Sequence, residues 1–180
     1  VSLQEEIVRL GMAGHSVLGI LPTGGGKSLC FQIPALHRFF TMGALTIVVT
    51  PLQALMKDQV DGLIAKASLS CVAALNGLQT PPEKAEVREA VRLGSIGILY
   101  VSPEQLRNSS FKRTILQREI GCWVFDEAHC LSHWGHDFRP DYVYIARYIR
   151  ELAAEQGTPV PPVMCVTATA KDDVKNEIVK

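Results

Sequence analysis

Short apolar runs recur along the chain, and between them lie stretches whose apolar residues return every three or four positions. The runs are Ser16–Leu21, Leu45–Thr50, Cys71–Leu75, Ile96–Val101, Cys122–Phe125 and Val163–Thr167. Most are apolar throughout instead of alternating, the pattern of strands buried on both faces of a parallel sheet. The helical stretches are Lys27–Phe40, Leu52–Lys66, Pro82–Leu93 and Pro140–Glu155, with two shorter ones after Pro103 and Phe111. Further helices are predicted to open the chain and to close it after Lys171. Strands alternating with helices predict an α/β fold, a doubly wound, mostly parallel sheet with helices on both faces. In such folds the ligand sits beyond the carboxyl ends of the strands.

Composition narrows the class. A length of 180 residues suits a single domain, 1–180, with one sizeable core. Hydrophobic residues make up 47% and charged residues 20%, which is globular and not disordered. Lys plus Arg number 18 and Asp plus Glu number 18, so a nucleic-acid surface has to be a local patch. The 5 cysteines, Cys30, Cys71, Cys122, Cys130 and Cys165, are scattered without C-x-x-C spacing. That argues against a disulfide framework or a four-cysteine zinc site and for buried free thiols in a reducing, cytoplasmic setting. Neither a membrane-spanning stretch nor a signal peptide is visible.

Two segments carry chemistry. Pro22-Thr23-Gly24-Gly25-Gly26-Lys27-Ser28 follows the first predicted strand and opens a helix. Its glycines let the backbone curl and turn N–H groups toward an anion, with the positive helix end behind them. Lys27 would reach the β- and γ-phosphates of a nucleotide, and the Ser28 hydroxyl would hold Mg²⁺. The strict phosphate-loop pattern fails at Leu21, where a glycine is expected. Asp126 and Glu127 follow the strand Cys122–Phe125. Asp126 would bind Mg²⁺ through water, and Glu127 would orient and deprotonate the attacking water. Two such acids could instead cap the next helix.

Asp126-Glu127-Ala128-His129 is the box that names a large class of helicases, and from it the whole chain resembles the first RecA-like lobe of a RecQ-family DNA helicase. The resemblance runs in order through Lys27–Ala35, Thr50-Pro51-Leu52, Leu55–Val60, Val101–Leu106, His129–Pro140 and Thr167–Ala170. The aromatic-rich stretch His129–Pro140 is its most specific piece. The resemblance implies ATP and Mg²⁺ as cofactors and single-stranded or partly duplex DNA as partner, with translocation driven by ATP hydrolysis. It implies that Gln4 reads adenine and that the loop Thr23, Gly24, Gly25, Gly26, Lys27 and Ser28 binds the nucleotide. Asp126 and Glu127 would be its catalytic acids. His129 would couple nucleotide state to DNA. Trp134, Phe138 and Arg139 would sense single-stranded DNA, and Thr50 and Ser102 would meet DNA phosphates.

Departures accompany the match. Val1 stands where the family usually has Arg, and the aromatic residue that packs on the base would lie upstream of Val1. Gln105 stands where Arg is frequent. The chain begins without Met and stops soon after Thr167–Ala170, so a fragment is expected. The second helicase lobe, with its arginine finger, and a cysteine-rich zinc module would lie outside it, leaving the isolated lobe nearly inactive.

Other readings of the same residues stay open. Trp134 and Phe138 could stack on unpaired bases beside Arg139, or anchor their own loop while Arg139 pairs with Asp137 or Asp141. His129, His133, His136 and Asp137 also invite a metal site, but not in the H-E-x-x-H order. Lys112, Arg113 and Arg118 form a basic cluster on one predicted helix, read as a solvated face before a DNA track. A stand-alone P-loop kinase or GTPase, or a non-catalytic nucleic-acid-binding module, are the competing functions.

Overall fold

The structure, a computed structural model, describes residues 2–21, 26–126 and 139–167, the side chains at 139–143 excepted. Six strands are present: β1 (Val17–Ile20), β2 (Leu45–Val49), β3 (Val72–Leu75), β4 (Ile98–Val101), β5 (Ile120–Asp126) and β6 (Val163–Thr167). They form an all-parallel sheet in the order β1-β6-β5-β2-β4-β3. The helices are α1 (Leu3–Met12), α2 (Lys27–Met42), α3 (Gln53–Ala67), α4 (Pro81–Arg92), α5 (Ser109–Ile115) and α6 (Arg139–Gln156), with a 3-10 helix at Pro103–Arg107. The α/β expectation therefore holds. The closing helix expected after Lys171 lies outside the described residues. β5 is longer than the apolar run that announced it, because Ile120 and Gly121 extend it at one end and Asp126 at the other.

The chain divides into two compact units, one built from Val1–Pro34 and Val124–Lys180, the other from Ala35–Trp123. In the first unit, α1 opens with a capping box: the Ser2 hydroxyl accepts from the Glu5 N–H at 3.2 Å, and the Glu5 carboxylate accepts from the Ser2 N–H at 3.2 Å. β1 pairs with β6 in parallel, from Val17 opposite Met164 to Ile20 opposite Thr167. The pairing continues one residue further, where the Leu21 N–H donates to the Thr167 carbonyl at 3.0 Å. The Ser16 hydroxyl closes the other end by accepting from the Val163 N–H at 3.0 Å.

In the second unit, β4 lies between β2 and β3, with Ile98 opposite both Thr46 and Val72. Every residue of β2 and β4 is buried, as their unbroken apolar runs required. β4 starts two residues later than its run suggested, at Ile98, and Gly97 before it lies hard against Phe39. A Cβ on Gly97 would stand 2.4 Å from the Phe39 ring. Thr80 and Glu83 form a second capping box, and Pro81 and Pro82 start α4 without wasting an N–H that a helix would use.

Arg118 ties this unit together. It lies beyond α5 and is 7% exposed. Its guanidinium donates to the carbonyls of Val91 at 3.1 Å, Ile96 at 2.7 Å and Gly43 at 3.0 Å. The basic cluster read from sequence is thus not one solvated face. Arg113 is exposed and Lys112 half-buried, whereas Arg118 is a buried clamp on backbone carbonyls.

Candidate functional site

One end of the first unit carries five of the sequence-nominated residues, Gln4, Gly26, Lys27, Ser28 and Asp126. Leu21 is buried at the end of β1, and α2 starts at Lys27. Between them Gly26 has φ of +70°, a left-handed conformation that favours glycine. A Cβ there would also stand 2.6 Å from the Gln4 side-chain nitrogen. Gln4, exposed in the first turn of α1, therefore reaches across to the loop's last glycine.

Lys27 Nζ lies 3.2 Å from Asp126 Oδ1, with the two side chains 17% and 5% exposed. Asp126 is the last residue of β5, so the central strand delivers its carboxylate to the first residue of α2. Deep burial makes that carboxylate dependent on a charged partner. The first turn of α2 carries no acid to offset its positive end. Ser28 is half-buried in the same turn. Cys30 packs beneath, its thiol 3.8 Å from the Gly26 carbonyl, and burial pushes that thiol's pKa up.

These residues fit a magnesium triphosphate. A hydroxyl at Ser28 and a carboxylate at Asp126 are the hard oxygen donors that Mg²⁺ takes. An ammonium at the mouth of a helix N-terminus suits phosphate.

The remaining nominated residues divide in two. Thr23, Gly24, Gly25, Glu127, His129, Trp134 and Phe138 lie outside the described residues, as do His133, His136 and Asp137; Arg139 is described only as backbone at the start of α6. Thr50 and Ser102 follow β2 and β4 in the second unit, where they are 3% and 0% exposed. The Thr50 hydroxyl accepts from the Leu52 N–H at 3.5 Å, and the Ser102 hydroxyl donates to Glu104 at 2.5 Å. Sequence reasoning gave Gln53 and Glu104 no role, yet both meet at Ser102's loop: Gln53 donates to Glu104 at 3.4 Å. The stretch Val101–Leu106 was singled out as a motif, so its acid was the available signal. Among the described residues, no helix is long and apolar enough to cross a membrane.

A parallel α/β sheet whose strand-end aspartate pairs with the lysine opening the next helix is an architecture of nucleotide-binding α/β domains. The chain belongs to the DEAD/DEAH box helicase family, whose pattern matches residues 1–177. It is 40% identical over 177 residues to the ATP-dependent DNA helicase RecQ of Pasteurella multocida, covering 98% of this chain and 26% of that protein. It is 41% identical over 178 residues to the RecQ of Bacillus subtilis, covering 98% of this chain and 28% of that one. The chain thus spans about a quarter of the length of these relatives. Among solved structures, the DUF1998 helicase MrfA superposes with a TM-score of 0.77 at 20% identity, over 99% of this chain and 28% of that one. The Pyrococcus furiosus Hef helicase domain does so at 0.70 with 22% identity, over 98% and 34%. These two likenesses speak for the fold.

Proposed function

We propose that this chain is the ATP-binding motor lobe of a RecQ-like DNA helicase, a single RecA-like unit that couples ATP hydrolysis to movement along single-stranded DNA and to duplex unwinding. The observation that carries this reading is the Lys27–Asp126 pair at 3.2 Å beside Gly26, in a chain about 40% identical to RecQ helicases. The partners on this reading are DNA and a second helicase lobe, and the setting is the cytoplasm.

Each residue has a role. Gly24, Gly25 and Gly26, after Thr23, present backbone N–H groups to the phosphates. Lys27 neutralises charge as it develops on the transferred phosphoryl group. Gln4, poised over Gly26, reads the adenine edge. Ser28 and Asp126 would hold Mg²⁺, which when bound draws charge from the phosphate oxygens. Glu127 positions the attacking water and takes its proton. His129 links nucleotide state to DNA, and Trp134, Phe138 and Arg139 contact unpaired bases.

The test is Glu127→Gln in the longer protein that carries this lobe and its second helicase lobe, a change that keeps shape and removes the base. DNA-stimulated ATP hydrolysis is expected to fall by about a hundred- to ten-thousandfold, the usual contribution of a positioned proton acceptor. Binding of ATP is expected to survive. Normal hydrolysis by this variant would remove Glu127 from the mechanism.

A further inference from the structure

In the second unit, three loops converge on one carboxylate oxygen at the carboxyl ends of β2, β4 and β3. Ser102, directly after β4 and fully buried, donates its hydroxyl proton to Glu104 Oε1 at 2.5 Å. Gln53, the first residue of α3, donates Nε2–H to the same oxygen at 3.4 Å. Gly77, just past β3, lies close enough that a Cβ there would stand 3.5 Å from it.

The surroundings favour an anion at this point. The N-cap residue of α3 is Leu52, which makes no side-chain cap bond, and the first turn of α3 contains no acid. Glu104, from the neighbouring loop, reaches that turn through the Gln53 side chain. The Gln53 side-chain oxygen is buried without a partner, so its amide is oriented through Nε2.

A hydroxyl has a single proton to donate. While Ser102 gives it to Glu104, it cannot give it to a phosphate. A DNA backbone that reaches Ser102 has to displace the carboxylate and pass close to a charge of its own sign. We propose that Glu104 is a resident competitor of the DNA backbone: a positioning residue that holds Ser102 and Gln53 in place and weakens the grip of this edge on single-stranded DNA. The proposal rests on the reading of the chain as a helicase lobe. A motor has to release each phosphate it grips, and an internal anion that reclaims the hydroxyl favours release.

The experiment measures binding of a labelled oligothymidylate by the longer protein that carries this lobe, using fluorescence anisotropy across a range of salt. Glu104→Gln keeps the acceptor oxygen and removes the charge. It is expected to bind about three- to fivefold tighter at low salt, the effect of deleting one like charge several ångströms from a phosphate in water. The slope of log K against log salt is expected to steepen by up to about 0.7, as for one additional neutralised phosphate on a single strand. A purely structural role would leave that slope alone. The gain should vanish when Ser102→Ala is added, and Glu104→Ala should shift affinity in the same direction as Glu104→Gln. Unchanged or weaker binding by both Glu104 variants, or a gain that survives loss of the Ser102 hydroxyl, overturns the proposal while leaving the helicase reading intact. Failure of the unmutated protein to bind the oligonucleotide while it still binds ATP would instead remove the helicase reading, and the proposal with it.

Discussion

Each half of the molecule withdraws a cation from bulk water, and the two cations meet opposite fates. In the first unit Lys27 is 17% exposed beside the Asp126 carboxylate, at the start of α2. In the second unit Arg118 is 7% exposed, and its guanidinium is directed at three main-chain carbonyls. Burial pulls the Arg118 pKa down from its ordinary value, and the carbonyls replace the water it has lost. On the proposed reading, a carboxylate partner can yield its cation to an incoming phosphate. Carbonyls at Gly43, Val91 and Ile96 belong to the fold and cannot be exchanged. What a buried charge faces, more than how deeply it is buried, decides whether it is available for chemistry.

The largest effect that would sharpen this contrast is on turnover. Lys27→Ala is expected to lower ATP hydrolysis by about a hundred- to a thousandfold, as for loss of one preorganised charge at a transition state. Phosphate release at saturating DNA measures it, and denaturant unfolding shows how far stability moves. Arg118→Ala is expected to act the other way round. It leaves buried carbonyls without donors and should cost about 3 kcal/mol of stability, with turnover per folded molecule unchanged. Urea titration gives the first number and active-site titration the second. Should Lys27→Ala destabilise as much as Arg118→Ala, the contrast breaks.

The smallest effect concerns a property the halves share. Burial raises the thiol pKa of Cys30 in one unit and Cys71 in the other above the ordinary 9.0. The folded state therefore keeps protons that the unfolded chain releases. Stability from these neutral thiols is present in full below pH 9 and declines as pH rises above it. Replacing either cysteine by Ala should flatten the alkaline limb of a stability–pH profile. A limb that responds to one cysteine alone would assign the effect to a single half.

How much could be read from the chain follows from how local each feature is. Strands buried on both faces declare themselves as unbroken apolar runs, so β2, β4 and β6 stand close to where the runs placed them. The pairing of Lys27 with Asp126 follows from two local signatures, a glycine-rich turn and an acid at a strand end, whose ends a parallel sheet brings together. Arg118 was misread because charged residues are usually solvated, and its acceptor Gly43 lies 75 positions away. Thr50 and Ser102 are nominated by their strand-end position and the family resemblance, neither of which reveals that both hydroxyls engage their own loops. Glu104 stood inside a recognised motif, but its convergence with Gln53 and Gly77 exists only in three dimensions.

The β1–β6 pairing has a consequence for the growing chain. A ribosome delivers residues in order, and domains form as their parts emerge. Ala35–Trp123 is one continuous stretch. The strand leading into the phosphate loop, by contrast, stands at the end of the sheet with β6 as its neighbour, and Ser16 waits for Val163, 147 positions later. Every residue of the loop itself is made before Leu29, yet a stop codon anywhere ahead of Val163 strips β1 of the strand beside it. A nascent or truncated chain can therefore carry the complete glycine-rich motif without the strand pairing that flanks it.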